Sequence, residues 1–155
     1  MKTEKIQRFG LLILIALLCA ACGAHVIRGA SPIVQLNELS RTGENIELQL
    51  SMRNLNGVQL EIRSIDFSLS VEEDILYSYR GAVETSIAAN GIETWTVEVE
   101  KNNPGRQLLE NLENGDVISL PYSLEGSIGT VDEGNMRFEN EGHLYPVPGR
   151  PGHFR

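Results

Sequence analysis

Alternation with a period of two is the strongest constraint on this chain. Ile46, Leu48, Leu50 and Met52 are separated by Glu47, Gln49, Ser51 and Arg53. That pattern places the apolar side chains on one face of a strand and leaves the other face wet. The same rhythm recurs along the chain. Ile33, Val34, Leu36 and Leu39 suggest a first strand, and Leu60 and Ile62 open another run. Ile65, Phe67, Leu69 and Val71 continue it one residue out of phase. A slip of one residue sends every later side chain to the other face unless a bulge absorbs it, so a bulge or bend is expected near Arg63–Ser64.

Turn signals punctuate the strands. Glu72-Glu73-Asp74 reads as a turn leading into a strand over Ile75–Tyr79. Asn90-Gly91 predicts a hairpin joining a strand near Val83–Ala88 to one carrying Trp95, Val97 and Val99, with Trp95 in the core. Val117, Ile118, Leu120, Tyr122 and Leu124 resume the strand pattern, and Pro121 inside that run predicts an edge or a bulge. Asp132-Glu133-Gly134-Asn135 makes a last turn and Met136-Arg137-Phe138 a last strand. One helix interrupts the series. Asn103 can cap it, Pro104 suits its first position, Leu108, Leu109 and Leu112 form one apolar stripe, and Gly115 suits its stop. The sum is an all-β chain: an antiparallel sandwich of seven or eight strands with one short helix.

The N-terminus carries a different signal. Lys2, Lys5 and Arg8 precede an apolar stretch from Phe9 to Ala21, which is followed by Cys22. A basic head, a short apolar core and small residues before a cut describe an export signal. A spanning helix needs about 20 residues, which this stretch lacks. Ala20-Ala21-Cys22 resembles the lipobox of bacterial lipoproteins, with Cys19 where that motif usually has Leu. The resemblance implies cleavage before Cys22 and acylation of Cys22, so that the membrane is a partner through an N-terminal lipid. Gly23 rather than Asp after the lipidated residue favours the outer membrane, facing the periplasm, if the host is Gram-negative. The organisation expected is a signal peptide over 1–21, a lipidated tether over 22–31, a sandwich domain over 32–141 and a Pro/Gly-rich tail over 142–155.

Removing residues 1–21 from the 155 leaves 134, about one domain. Lysine plus arginine falls from 13 to 10 and aspartate plus glutamate from 21 to 20, so the net charge of the mature chain is −10. Nucleic-acid binding rests on neutralising phosphates, and this balance speaks against it. If the chain is cut and acylated as the resemblance implies, Cys19 leaves with the signal and Cys22 carries the lipid, so no thiol remains for a disulfide, a nucleophile or a zinc site.

Enzymatic chemistry is not signposted, and no catalytic, cofactor or metal residues are assigned. His25, His143 and His153 lie in or near the tether and tail, none in a run that would hold it beside a partner base. Glu72-Glu73-Asp74 and Asp132-Glu133 with Asn135 lack the ligand spacing of a calcium hand and read as solvated turns. The tail, with Tyr145, Arg150, Phe154 and Arg155 among its prolines, has three readings: it covers a sheet edge, is disordered, or docks on a partner.

From Gln35 to about Phe138 the chain resembles the LEA type 2 family, also called the water-stress and hypersensitive-response (WHy) domain. That family has a strand, an Asn-Pro-Asn or related turn, and a strand of the kind Leu-Pro-Val-x-x-Ile-x-Phe-x-Leu. Here Asn54 and Asn56 match the asparagines, Leu55 replaces the proline, and Ile65, Phe67 and Leu69 match the following strand. The Asn90-Gly91 turn, the Val97–Val99 strand and Tyr122–Gly126 fall in the family's order. The resemblance implies an immunoglobulin- or fibronectin-like sandwich and a desiccation or envelope-stress role, with no catalytic residues. Asn54 and Asn56 read as turn makers, because asparagine tolerates left-handed backbone and bonds its own turn. An alternative function is a carrier whose two sheets splay to admit an acyl chain.

The lipobox reading has a direct consequence. Cys22→Ser should release the protein from the membrane. Continued pelleting with membranes after a carbonate wash would contradict the assignment.

Overall fold

The computed structural model describes residues 26–99 and 105–155. The signal, Cys22, His25, Asn103 and Pro104 lie outside the described residues. Eight strands and one helix follow in order: β1 (Ile33–Thr42), β2 (Asn45–Arg53), β3 (Leu60–Val71), β4 (Asp74–Ile87), β5 (Ile92–Val99), α1 (Gly105–Asn114), β6 (Leu120–Thr130), β7 (Asn135–Leu144) and β8 (His153–Phe154). They form two antiparallel four-stranded sheets, ordered β5-β2-β1-β8 and β4-β3-β6-β7. The all-β sandwich expected from the alternation is the fold.

The period-two face of β2 is the floor of the core: Ile46, Leu48, Leu50 and Met52 are all buried. Opposite them lie Ile65, Phe67, Leu69 and Val71 of β3. Between Ile62 and Ser64 both ladders of β3 shift register, so the bulge sits where the phase slip placed it. A second bulge, between Leu36 and Glu38, lets Val34 and Leu39 both face inward despite their odd spacing. On β6, Gly126 stands between Phe67 and Phe138 in one row, and a Cβ there would press on both side chains. Glycine here makes room for two aromatic rings.

Several expectations are corrected. The two strands expected at Ile75–Tyr79 and Val83–Ala88 are one, β4, which runs through Gly81 without a break. Asn90 has positive φ (56°) and Gly91 N–H donates to Ala88 O (2.9 Å), but this turn does not make a hairpin. It carries the chain from β4 in one sheet to β5 in the other. Turn chemistry is local, whereas the partner of each strand is set by the whole core. Ile118 is not in a strand: β6 begins at Leu120, and Ile118 is 87% exposed. Pro121 lies in an inner strand, not at an edge. It is tolerated because the β3 ladder ends at Tyr122, and its carbonyl accepts the Glu72 N–H (2.9 Å).

The helix closes one end. Leu109 and Leu112 are buried and Leu108 packs against the core. Gly115 (φ 80°) stops it, with Asp116 N–H donating to Asn111 O (2.9 Å), the six-to-one bond of a Schellman end. Arg41 at the end of β1 pairs with Glu110 and Glu113, and Arg106 reaches Gly43 O (3.1 Å), so α1 is strapped to the β1–β2 hairpin.

The expected boundary between residues 141 and 142 falls inside β7, and the tail folds back on the domain. β8 pairs with β1 (Leu39 with Phe154, Ser40 with His153), and Phe154 is completely buried. Tyr145 and Arg155 exchange both backbone hydrogen bonds (2.9 and 3.0 Å). Of the three readings of the tail, edge cover is the one observed. His153 is therefore not a free surface group. Its Nδ1 donates to Glu38 (2.6 Å), and Arg150 forks onto both oxygens of the same carboxylate (3.1 and 3.2 Å).

This latch is pH-dependent. The His153 bond, and after it Arg150, hold the Glu38 carboxyl below its ordinary value of 4.5 against an opposing effect of burial. A carboxyl lowered on folding stabilises the docked tail fully above its unfolded value and loses that contribution as pH falls through the folded one. Hydrogen exchange should therefore show the amides of Val147 and Arg155 protected at neutral pH and opening below about pH 4.5. Glu38→Gln should open them at pH 7; protection unchanged in that variant would discard the latch.

Candidate functional site

Two features near one end of the sandwich define the candidate site: a buried asparagine clasp and the apolar cleft beside it. Asn54 and Asn56, at the end of β2, are both at most 1% exposed. Burying an amide is costly unless its donors and acceptors are met. Here they are. Asn54 Nδ2 faces three carbonyls, of Val58 (2.8 Å), Ala88 (3.0 Å) and Ile87 (3.2 Å). Asn54 Oδ1 accepts the backbone N–H of Asn56 (2.9 Å) and its side-chain amide (3.0 Å). Asn56 in turn exchanges two bonds with Ala30: Oδ1 accepts the Ala30 N–H (2.8 Å), and Nδ2 donates to Ala30 O (2.9 Å).

Backbone bonds complete the clasp. Asn54 N–H donates to Gly91 O (2.9 Å), Asn90 N–H to Asn56 O (3.1 Å) and Gly57 N–H to Ile27 O (3.0 Å). Three segments far apart in sequence thus meet: the tether, the β2–β3 turn and the β4–β5 crossover. Asn54 bonds its own turn as expected, through the Asn56 N–H and the Val58 carbonyl, but the left-handed backbone expected of these asparagines is absent. Neither has positive φ, and Asn90 is the asparagine that does. Their side chains also bond between segments.

The crossover leaves β4 and β5 side by side as the unpaired edges of opposite sheets. Between them lies a cleft of about 390 Å³. Met52, Ile62, Ile65 and Phe67 form its floor. Tyr77, Tyr79 and Val83 line it from β4, Trp95 and Val97 from β5. Trp95 packs against the core as expected, but stays half-buried because it lies on this cleft. The Phe67 ring lies 5.7 Å from that of Tyr77 and 6.2 Å from that of Tyr79, both tilted. Burial, with Tyr79 as a lesser cause, pushes the Tyr77 hydroxyl above its ordinary value. Thr85, Glu93 and Thr94 supply the polar groups of the lining. An apolar recess with a few polar groups, within the usual range of about 300–1,000 Å³, has the character of a small-ligand site.

A larger hollow of about 760 Å³ lies on the outer face of the second sheet, over Asp66, Ser68 and Ser127, with Arg80 and Arg137 beside it. It is a polar concavity in which Arg80 pairs with Asp66 (2.6 Å) in the open. Exposed pairs of this kind contribute little.

Of the other residues weighed from sequence, His143 is exposed and stands 6.4 Å from the Tyr145 ring. Glu72 takes positive φ (56°) in its turn, and Asp132 and Glu133 are exposed. Among the described residues no group of three or more His, Cys, Asp or Glu is placed to hold a metal ion. The sequence raised a cleft between splayed sheets as an alternative, without placing its walls on any strand. Its one signal was the concentration of Tyr77, Tyr79 and Trp95 on two strands.

No family profile and no curated protein sequence matches this chain. Solved structures similar to it include a protein from Archaeoglobus fulgidus (10% identity, TM-score 0.47), covering 79% of this chain and 98% of that one. Another is from Arabidopsis thaliana (13% identity, TM-score 0.48; 77% and 87% covered). A third is described as a late embryogenesis abundant (LEA) protein (14% identity, TM-score 0.46; 79% and 75% covered).

The clasp yields a direct expectation. Asn54→Ala leaves up to two carbonyls, of Val58 and Ile87, short of a donor, at about 1–3 kcal/mol for each one left unpaired, while that of Ala88 keeps the Gly91 N–H. The thermal midpoint should fall by several degrees, and an unmoved midpoint would show that the clasp is ornamental.

Proposed function

We propose that this chain is a non-enzymatic cell-envelope protein of the water-stress kind, held at a membrane by lipid on Cys22. The observation that carries the reading is the buried Asn54–Asn56 pair. The residues on which the resemblance to the LEA type 2 family rests are the ones that hold this sandwich together at one end. The likeness is thus to a working part of the fold rather than to a surface turn. Protection would come from the surface. Along the outer face of the first sheet run Gln35, Ser51 and Thr94, then Glu38, Gln49 and Thr96, then Ser40 with the exposed carboxylates Glu47 and Glu98. With a net charge of −10 for residues 22–155, such a face stays hydrated and repels like surfaces as water is lost.

A second reading is favoured by the cleft: a carrier that receives an acyl chain between β4 and β5. The two readings separate in one experiment. Deletion should lower survival of drying or osmotic shock, and the wild-type gene should restore it. A Val83→Trp variant, which fills the cleft, should restore survival as well as wild type if the surface protects, and fail if an acyl ligand is needed. Survival unchanged by deletion would overturn the stress role. Native mass spectrometry of residues 23–155, which lack the cysteine read as lipidated, should show acyl lipid bound if the carrier reading holds, and a bare mass if it does not.

A further inference from the structure

The chain outside the described residues determines which end of the sandwich a lipid would hold. Cys22 is four residues from Val26, a span of at most about 14 Å. Val26 and Ile27 are fixed to the domain at the clasp: Ile27 O accepts the Gly57 N–H (3.0 Å). A lipid on Cys22 therefore holds the Asn54 end within one short span of the bilayer, with α1 and the β1–β2 hairpin at the far end.

That end carries an unusual row. Arg53 is flanked across the ladders by Ile33 on β1 and Ile92 on β5. All three are exposed on the outer face of the first sheet, at its rim, Ile33 at 40% and Ile92 at 60%. Val26 (47%) and Ile27 (57%) are exposed at the same end. Among the described residues Arg53 makes no ion pair. Of the acidic groups of this end, Glu61, Asp132 and Glu133 line a separate hollow around Val58 and Thr130, and Glu93, next to Ile92, lines the cleft.

We infer that this rim is a bilayer-docking surface: Ile33, Ile92, Val26 and Ile27 enter the headgroup–acyl boundary, and Arg53 meets lipid phosphate between them. The inference rests on the lipid-anchor reading above. Apolar side chains that lie in the interface enter it by about 5–10 Å. An arginine between them extends its stem along the apolar surface and keeps its head among the phosphates. Acylation alone leaves the domain free to swing. The rim gives it one orientation, with β5, and hence one wall of the cleft, next to the bilayer and the helix end away from it.

The test uses the full acylated protein reconstituted into phosphatidylethanolamine–phosphatidylglycerol vesicles. An environment-sensitive fluorophore is placed on Ile92→Cys or, at the far end, on Ile118→Cys. Both positions are exposed, so neither change threatens folding. Doxyl lipids should quench the probe at 92 and leave the probe at 118 unaffected, and adding Arg53→Glu should cause loss of the quenching at 92. An acylated protein in which both probes escape quenching, or are quenched alike, overturns the docking surface and leaves the anchor standing. A probe at 92 that is shielded but unquenched, together with a dimer mass, assigns the rim to a second copy and also overturns it. A mass without acyl groups removes the anchor and this inference together.

Discussion

Everything at the tether end of this molecule depends on one buried side-chain amide. Asn54 Nδ2 has no water to turn to and faces carbonyls of Val58, Ile87 and Ala88. Two of those belong to the crossover between the sheets. The bond therefore sets where β4 ends relative to β2 and where β5 begins. Asn56 extends the same network to Ala30 and so fixes where the tether leaves the domain. A half-satisfied polar network of this kind would be worse than an apolar core. With its amide donors and acceptors engaged, it specifies one arrangement of three segments that share no ladder.

That arrangement explains the asymmetry of the two flanks. On one flank the tail closes the sandwich, with Phe154 buried and Glu38, Arg150 and His153 holding it. On the other, β4 and β5 approach as unpaired edges and the core shows through between them. Unpaired edges are usually blunted by charge or cover. Here aromatic side chains fill part of the gap, and a cleft remains. A protective surface and a receptive cleft are different uses of the same frame: the first needs the outer faces, the second the inner one.

Legibility in the sequence followed the range of the interaction. β2, the bulge at Arg63–Ser64 and the leucine stripe and glycine stop of the helix are local, and alternation or spacing revealed them. The fate of Asn90-Gly91 was not local. Its left-handed residue was correctly placed at the turn, but the strands it joins belong to different sheets. Counting prolines and glycines could not show that Phe154 finds a slot beside Leu39, more than a hundred positions away. The candidate site divided the same way. Asn54 and Asn56 were visible through a resemblance and as turn makers, which the bonds to the Asn56 N–H and the Val58 carbonyl bear out, whereas their bonds across segments were not legible. The cleft was expected only in outline, between splayed sheets; its walls were not legible because they belong to two strands that fail to pair, and for the same reason Trp95, though packed against the core, stays half-buried.

The central claim is that Asn54 and Asn56 join tether, turn and crossover into one unit. Residue-resolved hydrogen exchange at neutral pH tests it most directly. Ala30 and Asn90 lie in no ladder, yet their amides donate to Asn56 Oδ1 and Asn56 O. The account predicts that both exchange as slowly as the neighbouring strand amides of β2. Exchange at the rate of open chain would contradict it.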